Sequence, residues 1–496
     1  MTGAQGSKFD LTRRGFLKAG AVSAMGLAAA GSMTGCSGWL GSTAPEAAEE
    51  KTVYTLHQFM CTGRCSLKCT VRDGRLAMIQ PNDTVDEYYR HVCMKGISEI
   101  QHVYSDERLQ TPMRRVGERG SNEFEAITWD EALATIGEEL NKAWDKYGKS
   151  SVYMSASNEP RFSFLPALLG CATGVEPGID RGTGNGEAPA IGGDVFGGGT
   201  AESRDWVNTK TLVIAGTNLL ETSMMQANTF MDAKEAGCEI IVLDPHFSTT
   251  ASKADQWIPI QPGCDAAFYL GMTTYILDNK LYDEKFVLEH TSLPFLMNAE
   301  TGEMLREGKE WGVDEETGEP VDPGDFMVWD ATVGKAVPYS SAILTAALEG
   351  EFDVDGVKAT TAFSNLKKNQ AHYTTEWAAG VTGIDAATIE EVARKYAANG
   401  PAYLVFGQGG SDKYSNPDII GHAGMVLTAL TGNIGKPGSG IGHTIGGAGY
   451  GVALGEWKLP EQFKPAELDV RADRFPTREN DVHVIISLGN TFQQYW

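Results

Sequence analysis

The sequence predicts an α/β protein with several domains, and three observations carry this prediction. The chain has 496 residues, 42% of them hydrophobic. A chain of this length usually forms more than one domain, each with its own hydrophobic core. Buried strand patterns at 211–215 and 239–243 frame a helical stretch, which is typical of a βαβ unit. The apolar fraction is that of globular proteins and no short repeat runs through the chain, so disordered, collagen-like and coiled-coil classes are excluded.

The chain is strongly acidic, with a formal net charge of −24. Such a protein repels phosphate backbones, so the composition argues against a nucleic-acid partner. Tight binding of an anionic cofactor would therefore need local neutralisation by backbone N–H groups or a few placed cations.

The N-terminus has the features of an export signal. Arg13 and Arg14 precede Phe16-Leu17-Lys18 and an apolar run from Ala19 to about Ala30, which resembles a twin-arginine signal. The alternative is the start of an amphipathic helix. The run is shorter than the roughly 20 residues of a membrane span. Because the twin-arginine route moves folded proteins, the signal predicts a cofactor inserted before export and a periplasmic or outer-face location.

A second feature follows the apolar run. Met33-Thr34-Gly35-Cys36 resembles a lipoprotein cleavage box with Cys36 as the lipid acceptor, and an ordinary cleavage site nearby is the alternative. The stretch from Ser37 to Lys51 is predicted to be a flexible tether.

Four of the eight cysteines, Cys61, Cys65, Cys69 and Cys93, form the pattern C-x3-C-x3-C-x23-C. A cubane cluster requires four thiolates that converge on one small object, whereas disulfides do not need so dense a group. Zinc usually pairs two C-x2-C arms. The spacing favours a [4Fe–4S] cluster over zinc or disulfides. A predicted hairpin around Asp73-Gly74 would hold the third ligand against the others.

The next residues resemble a known family. Cys93-Met94-Lys95-Gly96 and the stretch 104–117 look like the start of a molybdopterin oxidoreductase of the dimethyl sulfoxide reductase family. In that family the Cys-x-Lys/Arg-Gly motif ends the [4Fe–4S] site. The basic residue, here Lys95, lies on the electron path between cluster and pterin. A solvated surface lysine is the alternative.

Two further elements are predicted before the βαβ unit. Thr128 and Glu131 form a capping box, apolar residues follow at helical spacing, and Gly148 stands where the helix would stop. A helix over 129–147 is therefore predicted, and a strand over 151–155 follows it.

The strands of the βαβ unit end in polar residues. Gly216-Thr217-Asn218 follows the first strand and Asp244-Pro245 follows the second. Open parallel sheets bind nucleotides at these carboxyl ends, where an acid contacts a ribose or a base edge. The G-x-G-x-x-G fingerprint is absent, so NAD is not the obvious ligand.

These segments, with 261–267, 403–410 and 431–438, resemble the guanosine-dinucleotide segments of the same family. The resemblance covers about residues 52–496 and implies a molybdenum bis(molybdopterin guanine dinucleotide) cofactor. The contacts that it implies are Gly216, Asn218, Asp244, Gly263, Asp265, Gly407, Gln408, Gly409, Asn433 and Asn490.

The protein ligand of molybdenum is not evident. The window 179–187, where the family places it, contains no Cys and no Ser. Thr183 is the first candidate, followed by Asp180 and Asn185, because a hard oxygen donor suits a high-valent molybdenum centre. The alternative is that molybdenum has no protein ligand.

The resemblance implies a dimethyl sulfoxide reductase-like multidomain fold with a small iron–sulfur domain and two Rossmann-like α/β domains. The expected parts are a signal peptide (1–35), a linker (36–51), the cluster domain (52–118), a discontinuous molybdopterin domain (119–175 and 378–496) and a dinucleotide domain (176–377). The chain ends at Trp496, where full family members continue with a barrel-like domain. We therefore expect the chain alone to assemble the cluster but to retain the molybdenum cofactor poorly.

The function that this resemblance implies is an exported reductase that removes an oxygen atom or a hydroxyl group from a small substrate. The missing Ser ligand and the acidic insert at 298–350 also resemble catechol dehydroxylases and pyrogallol hydroxytransferases. The partners it implies are a quinol-linked membrane anchor and an iron–sulfur electron-transfer subunit, unless Cys36 carries a lipid. The alternative is a non-catalytic fragment or an iron–sulfur electron carrier without molybdenum.

Overall fold

The computed structural model describes residues 49–57, 65–155, 200–308, 312–313, 320–321, 324–407, 410, 413–414, 416–443 and 484–487, and residues 169, 186 and 190 between them. The chain divides into two compact units, one of residues 1–52 and 70–77, the other of residues 53–69 and 78–496.

In the smaller unit, Asp73 and Gly74 form a tight turn. Both have a positive φ, 48° and 73°, as a two-residue hairpin turn requires, and Asp-Gly meets this need at low steric cost. The Asp73 carboxylate accepts the N–H of Glu49 at 3.1 Å. The flanking strands are β2 (Cys65–Arg72) and β3 (Arg75–Pro81), so the predicted hairpin is confirmed.

Short elements come first in the chain. Strand β1 (Glu50–His57) joins β2 and β3 in a three-stranded sheet with the order β1-β2-β3. Helices α1 (Met94–Ile97) and α2 (Glu99–Val103) follow, and then β4 (Met113–Arg115) pairs antiparallel with β5 (Phe124–Ala126).

The next helix, α3 (Trp129–Tyr147), confirms the prediction for 129–147. The Thr128 hydroxyl accepts the N–H of Glu131 at 3.2 Å, and the Glu131 carboxylate accepts the N–H of Thr128 at 2.8 Å. This reciprocal pair satisfies two N–H groups that a helix start leaves without partners. After the helix, β6 (Val152–Ser155) pairs in parallel with β19 (Val484–Ser487).

A five-stranded sheet occupies the centre of the larger unit. Its strands are β7 (Thr211–Ala215), β8 (Glu239–Leu243), β9 (Gln256–Ile258), β17 (Ala402–Phe406) and β18 (Gly440–His443). Their order is β18-β17-β7-β8-β9, and every neighbouring pair is parallel. The predicted βαβ unit is confirmed as β7 and β8 with α4 (Leu219–Thr222) and α5 (Ala227–Glu235) between them.

Helices cover both faces of this sheet, because successive side chains of a strand point to opposite faces. On one face, Val213, Ile241 and Leu404 belong to a buried core. The helices that contribute to this core are α6 (Asp265–Asp278), α9 (Thr375–Thr382), α10 (Ala386–Ala398) and α11 (Pro417–Leu430).

The opposite face carries a second core. Leu212, Ile214 and Ile240 pack there with Trp206, which precedes β7, and with Phe230 on α5. The central strands are thus apolar on both sides, which explains why their sequences read as unbroken hydrophobic runs.

A separate group of short antiparallel strands lies between β9 and β17 in the sequence. One sheet has the order β10 (Leu296–Asn298), β16 (Val357–Thr361), β15 (Glu351–Val354), and β13 (Met327–Asp330) pairs with β14 (Lys335–Pro338). The remaining elements here are β11 (Gly312–Val313), β12 (Pro320–Val321), α7 (Glu284–His290) and α8 (Ala362–Gln370).

The sheet order differs from the expected domain division. We expected 378–496 to join 119–175, but β17 and β18 lie in the same sheet as β7. The reason is register: β17 pairs with β7 along its whole length, from Ala402 opposite Thr211 to Phe406 opposite Ala215. Only β19 pairs with β6 among the described strands after residue 378.

Within the described residues, no helix combines the length and the apolar composition that crossing a membrane requires.

Candidate functional site

Three of the four clustered cysteines lie in the described residues. Cys65 and Cys69 are both buried on β2, at alternate positions that share one face of the strand. Cys93 is half-buried and occupies the N-cap position of α1. Cys61 lies outside the described residues.

The spacing along β2 separates two of these thiols. Four residues of extended strand rise about 13 Å, so a straight β2 holds Cys65 and Cys69 too far apart for one small cluster. Among the described residues, no three His, Cys, Asp or Glu side chains come together as a metal site. Burial raises the pKa of the Cys69 thiol, which favours the protonated form of that side chain.

A fifth donor, which the sequence analysis missed, lies close to the Cys93 helix. His57 ends β1 and is 8% exposed. A Cβ on Gly96 would lie 3.5 Å from its Nδ1, and its Nε2 lies 3.4 Å from a carboxylate oxygen of Glu99. A metal-binding imidazole commonly has a carboxylate on its other nitrogen. The spacing signal was available, since His57, Cys61, Cys65 and Cys69 recur every fourth residue.

Glu99 is held in its charged form by two imidazoles. Burial raises the pKa of this carboxyl, but hydrogen bonds with His102 and His57 lower it more, so the net pKa is below its usual value. The second contact joins His102 Nδ1 to the other carboxylate oxygen at 3.1 Å. Thiols together with an imidazole braced by a carboxylate are donors that suit an iron–sulfur cluster.

Lys95 lies on α1, the helix whose N-cap is Cys93. Its Nζ donates to the carbonyl oxygen of Glu221, on α4, at 3.5 Å. Near the same segment, the Cys65 Sγ lies 3.2 Å from the Sδ of Met225. The residues that follow β7 therefore contact both the candidate cluster residues and the predicted electron-path lysine.

The second part of the site lies at the carboxyl ends of the sheet strands. Gly216 directly follows β7, has φ +63° and donates its N–H to the Leu243 carbonyl oxygen at 2.9 Å. Gly407 directly follows β17, and a Cβ there would lie 1.9 Å from the Gly216 carbonyl oxygen. Only glycine at 407 permits this close approach of the two strand ends.

Asn218 and Asp244 follow the ends of β7 and β8. The Asn218 Oδ1 accepts hydrogen bonds from the N–H and the hydroxyl of Thr250, at 3.1 and 2.9 Å. Asp244 is 8% exposed, and burial raises the pKa of its carboxyl although the N–H of His246 opposes the shift. A carboxylate that burial disfavours is well suited to a polar ligand that would compensate its charge.

Asp265 is a buried carboxylate at the first position of α6. Negative charge is stabilised at this end of a helix by the macrodipole. Just before it, Gly263 has φ +80°, and the ring of Tyr414 packs where a Cβ would be, 2.8 Å from the Cδ1 atom. Gly263 and Asp265 thus lie beside the loop that follows β17.

Asn433 lies at the opposite end of β17. Its Oδ1 accepts the N–H of Ala402, the first residue of that strand, at 2.9 Å. Its Nδ2 donates to the carbonyl oxygen of Tyr396 at 3.1 Å and to the hydroxyl of Thr431 at 2.9 Å. The structure therefore does not bring Asn433 together with the other predicted contacts, because the fold uses both ends of its amide.

Several predicted site residues lie outside the described residues. These are Gln408, Gly409 and Asn490 among the predicted cofactor contacts, and Thr183, Asp180 and Asn185 among the predicted molybdenum ligands.

Comparison with known families identifies two matching regions. Residues 50–105 match the molybdopterin oxidoreductase Fe4S4 domain. Residues 108–490 match the molybdopterin oxidoreductase family. The first region contains His57 and all four clustered cysteines, and the second contains the whole central sheet.

The chain is also similar to curated proteins. It is 30% identical, over 98% of the chain, to a Halobacterium salinarum protein named as the catalytic chain of a dimethyl sulfoxide reductase. It is 31% identical, over 88% of the chain, to the alpha chain of the Dechloromonas aromatica perchlorate reductase. The aligned region spans 61% of the first relative and 52% of the second.

Among solved structures, acetylene hydratase from Pelobacter acetylenicus matches with a TM-score of 0.53 and 24% sequence identity. The match covers 78% of this chain and 44% of that protein, and it supports the fold alone.

Proposed function

Because the chain belongs to the molybdopterin oxidoreductase family, we propose that it is part of a molybdenum-dependent reductase that removes oxygen from a small oxidised substrate. The two family regions carry a molybdenum–molybdopterin cofactor and a [4Fe–4S] cluster. The reductive direction is supported by the names of the relatives, a dimethyl sulfoxide reductase and a perchlorate reductase.

One observation carries the proposal. The segment from Asn218 to Gln226 begins with a predicted cofactor contact, Asn218, whose amide oxygen accepts the N–H of Thr250, and it contacts the cluster region through Cys65 and Lys95. When bound, the cluster would transfer single electrons and the molybdenum centre would exchange an oxygen atom with the substrate. The protein holds the residues for both groups on one continuous path of contacts, with Lys95 as the cation between them.

For the cluster, the proposed ligands are Cys61, Cys65 and Cys93, with Cys69 or His57 as the fourth. The extended geometry of β2 favours His57, because Cys69 lies about 13 Å along the strand from Cys65. Imidazole ligation of iron–sulfur clusters is known and raises their reduction potential. The Glu99 contact would fix the tautomer of His57, so that Nδ1 is the nitrogen left to bind iron.

For the pterin cofactor, we propose a bis(guanine dinucleotide) form held at the strand ends. Asn218, Asp244 and Asp265 would supply its polar contacts, since carboxylates are natural acceptors for the N1–H and N2–H2 edge of guanine. Gly216, Gly263 and Gly407 would let the backbone approach the ligand closely. The role of Thr183, with Asp180 and Asn185 as alternatives, stays a prediction for the metal itself.

We further propose export by the twin-arginine route and assembly with other chains. The arginine pair and apolar run of the N-terminus support the first. Both relatives are named as one chain of an enzyme and not as the whole of it, which supports the second. The proposed partners are a quinol-linked membrane anchor and an iron–sulfur electron-transfer subunit, with a lipid at Cys36 as the alternative attachment.

Metal analysis of the full chain tests this function. We expect four irons per chain and molybdenum at less than one atom per chain, because the chain alone is expected to retain the molybdenum cofactor poorly; iron with no molybdenum at all would instead indicate an electron carrier. Cys65→Ser should abolish the tetranuclear EPR signal. Cys264 is a half-buried thiol on the strand-end side, so the control variant Cys264→Ser should leave the signal unchanged. An intact signal in Cys65→Ser would refute the ligand assignment.

The fourth ligand is decided by a matched pair of variants. We expect His57→Ala to lose the tetranuclear cluster and Cys69→Ser to keep it. His57→Cys should keep the cluster but lower its reduction potential, since a thiolate adds negative charge. The reverse outcome, with Cys69→Ser losing the cluster and His57→Ala keeping it, would show that β2 bends on metal binding and that His57 is not a ligand.

A further inference from the structure

Met225 lies on the path between the two parts of the site, in a short 3-10 turn (Met224–Gln226) that follows α4. Its Sδ lies 3.2 Å from the Sγ of Cys65. Cys65 is only 3% exposed, whereas Met225 is half-buried, so the methionine that contacts the buried thiol is itself partly accessible to solvent.

Hydrogen bonds order the segment that carries Met225. At the start of this segment, the Thr250 hydroxyl accepts the N–H of Leu220 and donates to Asn218, and Thr250 is fully buried. Within the turn itself, the Gln226 N–H donates to the Ser223 carbonyl oxygen at 2.7 Å. These bonds restrict the backbone from which the Met225 side chain extends.

We propose that Met225 is a positioning residue of the iron–sulfur cluster, which covers the Cys65 sulfur with its thioether and keeps water from it. The proposal rests on the proposed ligation by Cys65. The thioether donates no hydrogen bond, so it shields the sulfur without stabilising negative charge there. Solvent exposure and hydrogen bonds to the sulfurs are two of the factors that set a cluster's potential.

The direction of the effect follows from charge. Reduction adds one negative charge to the cluster, and water stabilises the more highly charged state. Removal of the Met225 side chain therefore favours the reduced cluster and makes the potential more positive. We expect the ratio of reduced to oxidised cluster at a fixed potential to rise about tenfold, which corresponds to 59 mV for a one-electron couple.

The test is an EPR-monitored redox titration of the full chain reconstituted with iron and sulfide. Met225→Ala should show the positive shift, and Met225→Leu, which keeps the apolar bulk, should stay within about twofold of wild type. The matched control is Met224→Ala, because this adjacent methionine is 41% exposed and its loss should not change the potential. A cluster of normal yield and unchanged potential in Met225→Ala would overturn the proposal, as would an equal shift in Met225→Leu or Met224→Ala.

Two further measurements keep the outcomes distinguishable. Met225→Gln is close to the native volume and should fold, and its amide can donate to the sulfur, so it should also shift the potential to more positive values. In the metal-free chain, a maleimide should label Cys65 faster in Met225→Ala than in Met224→Ala. A wild-type chain that binds no iron would refute the proposed cluster, whereas equal labelling rates in the two variants would refute the shielding alone.

Discussion

The contact between the two strand ends predicts a large effect from one added methyl group. In Gly407→Ala, the new Cβ would lie 1.9 Å from the Gly216 carbonyl oxygen, 2.5 Å from its carbonyl carbon and 2.8 Å from the Thr217 Cβ. The first two atoms are backbone and cannot rotate away. Gly407 has no positive φ, so the cost arises from space and not from backbone strain.

The strands must therefore separate at their carboxyl ends to admit the methyl group. The Gly407 N–H donates to the Ala215 carbonyl oxygen at 2.9 Å, and this bond would stretch with the separation. Overpacking of a tight site costs about 1–3 kcal/mol, and we expect the upper part of this range because both partners are main chain. A loss of about 3 kcal/mol lowers the ratio of folded to unfolded chain roughly 100-fold.

Urea unfolding of the full chain followed by tryptophan fluorescence measures this loss, as a lower midpoint at unchanged slope. The matched control is Gly137→Ala on α3, where a Cβ would meet nothing within 4 Å. The free energy of unfolding of that variant should rise by about 0.5–1 kcal/mol, since alanine is the better helix former. A Gly407→Ala chain as stable as wild type would refute the close approach of the two strand ends.

Three other substitutions have expected outcomes. Asp244→Asn should stabilise the metal-free chain at neutral pH, because burial raises the pKa of this carboxyl. The gain in the free energy of unfolding is full above the folded-state pKa and vanishes below the unfolded-state pKa. A gain in unfolding experiments that does not depend on pH would contradict this reasoning. Asn433→Ala should lower the free energy of unfolding in urea by about 1–3 kcal/mol, because the buried Ala402 N–H loses its acceptor. The pterin content, measured by fluorescence of the oxidised cofactor, should stay that of the wild type. Thr128→Ala should cost about 1 kcal/mol by removing the hydroxyl cap from the Glu131 N–H, and unfolding at the wild-type urea midpoint would exclude this role.

The elements that could be predicted from the sequence are those with local causes. The bounds of α3 follow from the Thr128–Glu131 box and Gly148, and the hairpin follows from Asp73-Gly74. The partners of β17 could not be predicted, because its hydrophobic run fits a central strand in any parallel sheet. The pairing with β7 places β17 in the same sheet as β7 and β8.

The candidate site likewise has parts that the sequence predicts and parts that depend on tertiary structure. The cysteine spacing predicts an iron–sulfur cluster, and the strand ends predict a nucleotide site. The choice between Cys69 and His57 depends on whether 65–69 is extended, which spacing alone does not determine. The position of Asn433 depends on which end of β17 it caps, and this is a matter of tertiary packing.

The parallel pairing of Thr211 with Ala402 also has a consequence for synthesis in the cell. The two partners are about 190 residues apart, so at roughly 5–20 residues per second the ribosome needs about 10–40 s between them. During this interval the edge of β7 that later pairs with β17 has no native partner, and the cores around Leu212, Val213 and Ile214 lack the side chains that β17 contributes to them. Unpaired apolar edges recruit other chains, so the nascent protein is exposed to aggregation until residue 406 has emerged. Slow codons placed between 258 and 402 would prolong this exposure and lower the soluble yield without changing a single amino acid.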